Sequence, residues 1–147
     1  MKTKTAIIFD MDGTLSDPTH RRHFMIKPKN WKAWNAGMVF DTPHLDVINL
    51  AHMYKKIGHK ILISTGREIV FKYETQTWMD NHKVPYDAMY MRPAGDHRDD
   101  ATVKSELLDQ ILADGYQPLM VFDDRDRVVK MWRDRGLRCF QVNYGDF

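Results

Sequence analysis

Five short apolar runs alternate with longer amphipathic stretches, and this alternation limits the fold more than any other feature. The first run, Ala6 to Phe9, is short and rich in aliphatic and aromatic residues, as suits a strand buried on both faces. Further strands are predicted at Lys60 to Ser64, Asp87 to Met91, Leu119 to Phe122 and Arg138 to Val142. Helices are predicted between them. The first starts with Thr42-Pro43 as N-cap and N1 and stops at Gly58. A second covers about Glu68 to Asn81. A third runs from an Asp100 cap through Val103, Leu107, Leu108, Ile111 and Leu112 to Gly115, and a fourth carries Val128, Val129 and Trp132 before Gly136. Strand-then-helix order of this kind predicts an α/β fold with a parallel sheet, helices on both faces and right-handed crossovers. Ligands in such sheets sit at the carboxyl ends of the strands. The stretch Ser16 to Asp41 breaks the rhythm, holding Arg21, Arg22, Trp31 and Trp34, and is read as a small cap over that end.

With 147 residues, one domain is expected, covering 1–147. Hydrophobic residues make up 43% and charged residues 29%, which excludes disordered and fibrous classes. A net charge of +2 provides no global field for a polyanion, so any nucleic-acid contact must come from a local patch. Cys139 is the single cysteine and the seven histidines have no zinc-ligand spacing, which points to a reducing, cytoplasmic setting. The apolar run after Thr5 is too short for a signal peptide or a membrane span.

Asp10 and Asp12 follow the first strand in Phe-Asp-Met-Asp-Gly-Thr-Leu. Two residues apart on an extended chain, their carboxylates share a side. There Asp10 can attack phosphorus, while Asp12, kept protonated when needed, can protonate the leaving oxygen. Gly13 permits the tight turn that follows. Thr65-Gly66-Arg67 ends the second run, offering a hydroxyl, backbone donors and a guanidinium to a phosphoryl group; an ordinary strand-to-helix turn is the alternative. Lys104 lies four residues after Asp100, as in a surface ion pair or as a phosphate-neutralising lysine oriented by Asp100. Asp99 is assigned to solvent. Asp123-Asp124-Arg125 sends another carboxylate pair to the same edge, and clustered oxygen ligands beside a phosphoryl substrate favour Mg²⁺. One of that pair could instead open the next helix as its N-cap. Arg21, Arg22, Arg92, Arg98 and Arg125 are read as rim residues or as plain surface charges. Trp31 and Trp34 are assigned to packing of the cap, with base stacking as the other option.

The order Asp10-Met-Asp-Gly-Thr, Thr65, Lys104, Asp123-Asp124 resembles the haloacid dehalogenase superfamily of phosphotransferases. The stretches RPAGDHRDDATVK (92–104), DDRDRVVKMWR and CFQVNYGDF further resemble the 3′-phosphatase domain of phage-type polynucleotide kinase-phosphatases. This likeness implies a Rossmann-like three-layer α/β sandwich with a small cap insertion. It implies Asp10 as a nucleophile forming an aspartyl phosphate and Asp12 as general acid, then base. Mg²⁺ would be held by Asp10, the Asp12 carbonyl and one of Asp123 and Asp124, with Asp124 favoured. Thr65 and Lys104 would bind the phosphoryl group, Asp100 would support Lys104, and Arg21, Arg67, Arg92 and Arg125 would lie near the site. Serine is usual at the Thr65 position in that domain. No GxxxxGK[ST] loop occurs, so 5′-phosphorylation by this chain is not expected. The expected activity is removal of 3′-phosphates from DNA or RNA ends. The alternatives are a nucleotidase acting on free mononucleotides and a non-catalytic module docking on a separate kinase or ligase.

Overall fold

The computed structural model describes residues 4–147. In chain order the elements are β1 (Lys4–Phe9), β2 (Ser16–Asp17), a 3₁₀ turn (Thr19–Met25), α1 (Trp31–Ala36), a second 3₁₀ turn (Gly37–Phe40), β3 (Thr42–Pro43) and α2 (Leu45–Lys56). There follow β4 (Lys60–Glu68), a third 3₁₀ turn (Ile69–Phe71), α3 (Lys72–Asn81), β5 (Ala88–Arg92), α4 (Asp100–Ala113), β6 (Tyr116–Asp123), α5 (Asp126–Asp134) and β7 (Arg138–Gln141). Five strands form one sheet in the order β5-β4-β1-β6-β7, and every neighbouring pair is parallel.

The apolar run of β1 explains its central position. Ala6 and Ile8 face one layer, with Leu107, Leu108, Ile111 and Trp132 of α4 and α5. Ile7 and Phe9 face the other, with Val47, Ile48, Trp78 and Met79 of α2 and α3. All four are fully buried, and each large one adds about 1.5–3 kcal/mol relative to exposure. Two irregularities interrupt the ladders, one in mid-strand and one at the carboxyl edge. Opposite β1, Ala6 pairs with Pro118 and Ile7 with Met120, so Leu119 bulges where Pro118 cannot donate to a ladder. Opposite β5, Thr65 pairs with Met91 and Glu68 with Arg92, which loops Gly66 and Arg67 out of the ladder.

Three helix starts and one burial differ from the sequence expectations, and strands β4 and β6 run longer than expected. Thr42-Pro43 does not open α2: it is β3, antiparallel to β2, and Pro43, held extended by pairing with Ser16, cannot take the helical backbone of N1, so the helix starts two residues later at Leu45. The N-cap is His44, without a side-chain cap bond. Helix α3 starts after a 3₁₀ turn, four residues later than expected. Asp99, assigned to solvent, is the N-cap of α4, where its carboxylate accepts from the Thr102 N–H at 3.2 Å. Leu112, placed on the apolar face of α4, is half-exposed because the face turns away after Ile111.

Candidate active site

Asp10 directly follows β1, Thr65 lies late in β4, and Asp123 ends β6, so three adjacent central strands deliver these residues to one edge of the sheet. Helix α4 adds Lys104 in its first turns, buried among Val103, Leu107 and Leu108. A lysine there must be paired. Its ammonium donates to Asp10 Oδ1 at 2.7 Å and to Asp123 Oδ2 at 2.9 Å, and these carboxylates hold the amine well above its ordinary pKa despite burial.

The opposite holds for the acids, because one lysine cannot offset three. Burial, together with Asp123 and Asp124, pushes Asp10 well up. Burial and Asp123 push Asp124 to about 6. Asp123 has both oxygens engaged: Oδ1 accepts from the backbone N–H groups of Asp124 and Arg125, and Oδ2 from Lys104 and the Trp132 indole. Asp124 Oδ2, by contrast, is buried without a partner. Asp10, Asp123 and Asp124 can each present one oxygen within 4.8 Å of the others. An orphaned buried carboxylate oxygen in an all-oxygen donor set fits a hard divalent cation such as Mg²⁺. Gly13, at φ +86°, keeps this space open, since a Cβ there would lie 2.0 Å from Asp124 Oδ2.

Asp12 lies in a different electrostatic setting. Arg67 forks onto it, Nε to Oδ2 at 3.0 Å and Nη2 to Oδ1 at 2.7 Å, and Arg21 donates to Oδ1 as well. Although burial opposes ionisation, the two guanidiniums keep the carboxyl well below the usual carboxylate range. The sequence reading emphasised a protonated Asp12, whereas this geometry stabilises the carboxylate.

The residue behind this arrangement is Asp41, to which the sequence reading assigned no role. It is buried, accepts from Arg21 Nε at 2.8 Å and Nη2 at 2.7 Å and from Arg67 Nη2 at 3.4 Å, and pairs with His20 at 2.7 Å. The indole of Trp78 donates to its carbonyl and Thr75 accepts from Arg67 Nη1. Trp34 stacks on Arg21 with the guanidinium 4.0 Å from the ring centre. Trp31, assigned to packing, is instead 58% exposed. Thr14 was also missed as a participant, although Asp-Gly-Thr pointed to it: its hydroxyl donates to Asp10 Oδ2 at 3.2 Å.

Asp100 does not hydrogen-bond to Lys104. Its oxygens accept from Arg92 Nη2 and from Arg125 Nη1, the latter at 2.6 Å, and its influence on Lys104 is through charge alone. A Cβ on Gly66 would meet Asp100 Oδ1 at 2.6 Å, so the glycine lets this cluster approach β4. Arg92 also donates to the Gly66 carbonyl at 2.7 Å, and Thr65 Oγ1 accepts from the Arg67 N–H at 3.1 Å. Arg98 lies apart, bonded to Asp96 and Glu106 at the surface. The edge therefore combines a buried carboxylate, a lysine paired to it, an acid cluster that can hold a cation and paired guanidiniums, a set of groups that can serve phosphoryl transfer.

Comparison with known proteins agrees with this chemistry. Residues 4–147 match the family model described as the polynucleotide kinase PNKP phosphatase domain. A protein of Autographa californica nuclear polyhedrosis virus, named a bifunctional polynucleotide kinase/RNA ligase, is 29% identical over 135 residues, covering 90% of this chain and 18% of the viral one. A chain in the structure of the Pnkp1/Rnl/Hen1 RNA repair complex is 34% identical with a TM-score of 0.86, over 99% of this chain and 44% of that one. The chain thus spans less than half the length of these relatives. The class C acid phosphatase of Bacillus anthracis shares the fold at 14% identity, with a TM-score of 0.73 over 99% of this chain and 70% of that one. The chain belongs to the PNKP phosphatase-domain family and is a phosphatase of the haloacid dehalogenase type.

Proposed function

We propose that the chain is a Mg²⁺-dependent phosphomonoesterase that removes 3′-phosphates from polynucleotide ends through an aspartyl phosphate on Asp10. The observation that carries this reading is the buried Asp10–Lys104–Asp123–Asp124 cluster at the carboxyl edge, with its orphaned Asp124 oxygen. Mg²⁺ would be held by Asp10, the Asp12 carbonyl and Asp124, and would neutralise charge on the nucleophile and the phosphoryl group. Asp123 supports that set by anchoring Lys104.

In the first half of the reaction, an Asp10 oxygen forms a bond to phosphorus as the bond to the leaving O3′ breaks. Lys104 offsets the negative charge gathered there, with Thr65 donating to a phosphoryl oxygen. Asp12 gives its proton to the leaving oxygen, for which the carboxyl must swing off the Arg21–Arg67 fork. In the second half Asp12 takes a proton from water, whose oxygen attacks phosphorus and releases Asp10 as the carboxylate. The carboxylate favoured by Arg21 and Arg67 suits that second half. Asp100 sets Arg92 and Arg125 at the rim, where substrate phosphate arrives, and the 16–41 segment acts as the cap. One similar chain lies in a Pnkp1/Rnl/Hen1 RNA repair complex and another relative is named for kinase and ligase activities together, which supports a kinase or ligase acting alongside this chain.

The test is phosphate release, with Mg²⁺ and with EDTA, from a 3′-phosphorylated oligonucleotide, a 3′-mononucleotide and a 5′-mononucleotide, with Asp10→Asn as control. Metal-dependent release is expected, fastest from the oligonucleotide and abolished by Asp10→Asn. Preference for a mononucleotide overturns end repair in favour of a nucleotidase, and release that Asp10→Asn does not affect overturns the nucleophile assignment.

A further inference from the structure

The charge of this chain is unevenly placed. Residues 18–40 contain Arg21, Arg22, Lys27, Lys29 and Lys32 and no Asp or Glu, a formal charge of +5. Since the whole chain carries +2, everything outside this segment sums to −3. Arg21 is spent on Asp12 and Asp41, and the Arg22 guanidinium lies 5.2 Å from the ring centre of Phe147. Lys27, Lys29 and Lys32 are exposed and, among the described residues, none has an acidic partner within salt-bridge distance. Between them stands Trp31, 58% exposed, with Lys29 Nζ 5.5 Å from its ring centre.

The position of this patch relative to the chemistry is defined. Arg21 touches Asp12, Trp34 stacks on Arg21, and Trp31 precedes Trp34 by one turn of α1. An exposed aromatic ring with Lys29 against it and two more unpaired lysines in the same short segment, linked to the phosphoryl site through Trp34 and Arg21, offers what a single-stranded polynucleotide requires: stacking for unpaired bases and cations along the backbone. A protein partner would leave three lysines without counter-charge unless it were strongly acidic.

We infer that Trp31 with Lys27, Lys29 and Lys32 forms a subsite for the unpaired nucleotides that precede the terminal 3′-phosphate, Trp31 stacking a base and the lysines contacting phosphates. The inference rests on the proposed reading of the active site and adds how its substrate is held. It makes the substrate a single-stranded end, with the same chemistry for DNA and RNA.

Two measurements test it, using the full chain. The first is binding of labelled DNA and RNA single strands ending in a 3′-hydroxyl, which involves no phosphatase chemistry. Trp31→Ala weakens binding about tenfold for at least one of the two strands. Replacing Lys27, Lys29 and Lys32 by alanine lowers the slope of log affinity against log salt by about 2, at about 0.7 per phosphate contact on a single strand. Lys130→Ala, a surface lysine on α5 paired with Asp134, leaves both unchanged. The second is kcat/KM: both subsite variants lose on a 3′-phosphorylated oligonucleotide and keep the wild-type value on a nucleoside 3′-monophosphate. Binding unaffected by either variant for both strands overturns the subsite, as does an equal loss on oligonucleotide and mononucleotide. Strand binding that depends on Trp31 without hydrolysis of any 3′-phosphate would instead overturn the proposed reaction alone.

Discussion

Replacing Asp41 by asparagine changes one oxygen to nitrogen at nearly constant volume, so its effect isolates charge. The wild-type carboxylate is buried against two buried guanidiniums, of Arg21 and Arg67, which among the described residues otherwise have only Asp12 as a counter-ion. In the variant, two positive charges share one carboxylate, and the new amide turns N–H groups toward donors that already lack acceptors. Removing one partner from a buried pair costs about 3–5 kcal/mol. That is a large part of the roughly 5–15 kcal/mol that holds a domain together. For a chain of this size, about 3 °C of Tm per kcal/mol gives a fall of about 10 °C. Urea and thermal unfolding at pH 7 measure it, with Asp134→Asn as a comparison expected to show no measurable change because its pair with Lys130 is solvated. A loss under about 1 kcal/mol for Asp41→Asn would refute the view that Asp41 is the necessary counter-ion. It would mean that Asp12 and solvent suffice.

Mg²⁺ at a hundredfold excess over its Kd should stabilise the protein by about 2.7 kcal/mol, a Tm rise of about 8 °C, and Asp124→Asn should remove that rise while leaving the metal-free Tm within a few degrees. Calorimetry with and without EDTA decides. Gly13→Ala should reduce kcat by more than about tenfold because a Cβ 2.0 Å from Asp124 Oδ2 would displace that carboxylate, while left-handed strain of about 1–2 kcal/mol should appear as lost stability; an unchanged kcat would show that Asp124 need not occupy that position. Asp87 accepts from Lys55 and from the Ile61 N–H, each at 2.8 Å, and its pKa is lowered. A depressed folded pKa means stability that is present above about pH 4 and lost as pH falls through the folded value. Asp87→Asn should therefore cost about 1 kcal/mol at pH 7 and progressively less as the pH is lowered below about 4, as urea titrations across that range would show.

The strands and their order along the chain were legible because a run such as Ala6 to Phe9, apolar at every position, can only be buried on both faces, as it is between α4–α5 and α2–α3. Asp10 and the Asp123-Asp124 pair were expected at the carboxyl edge because each follows an apolar strand, whereas the spacing of Lys104 from Asp100 left a surface ion pair open, and only the structure shows that Lys104 is buried against Asp10 and Asp123. Thr42-Pro43 misled because local capping chemistry looks the same whether or not a partner strand is present, and β2 arrives from 25 residues earlier. Asp41 lay beyond the sequence altogether. Nothing near it in the chain marks it, and its role arises only when β3 brings it against Arg21 and Arg67, 20 and 26 residues away. The opposite pKa shifts of the two motif aspartates likewise arise in three dimensions, upward for Asp10 from burial and neighbouring acids and downward for Asp12 from two guanidiniums. Sequence alone determines which side chains are available and how the backbone alternates; burial and the neighbours contributed by distant segments decide the charge each one carries, because electrostatic energy depends on distance in space and not along the chain.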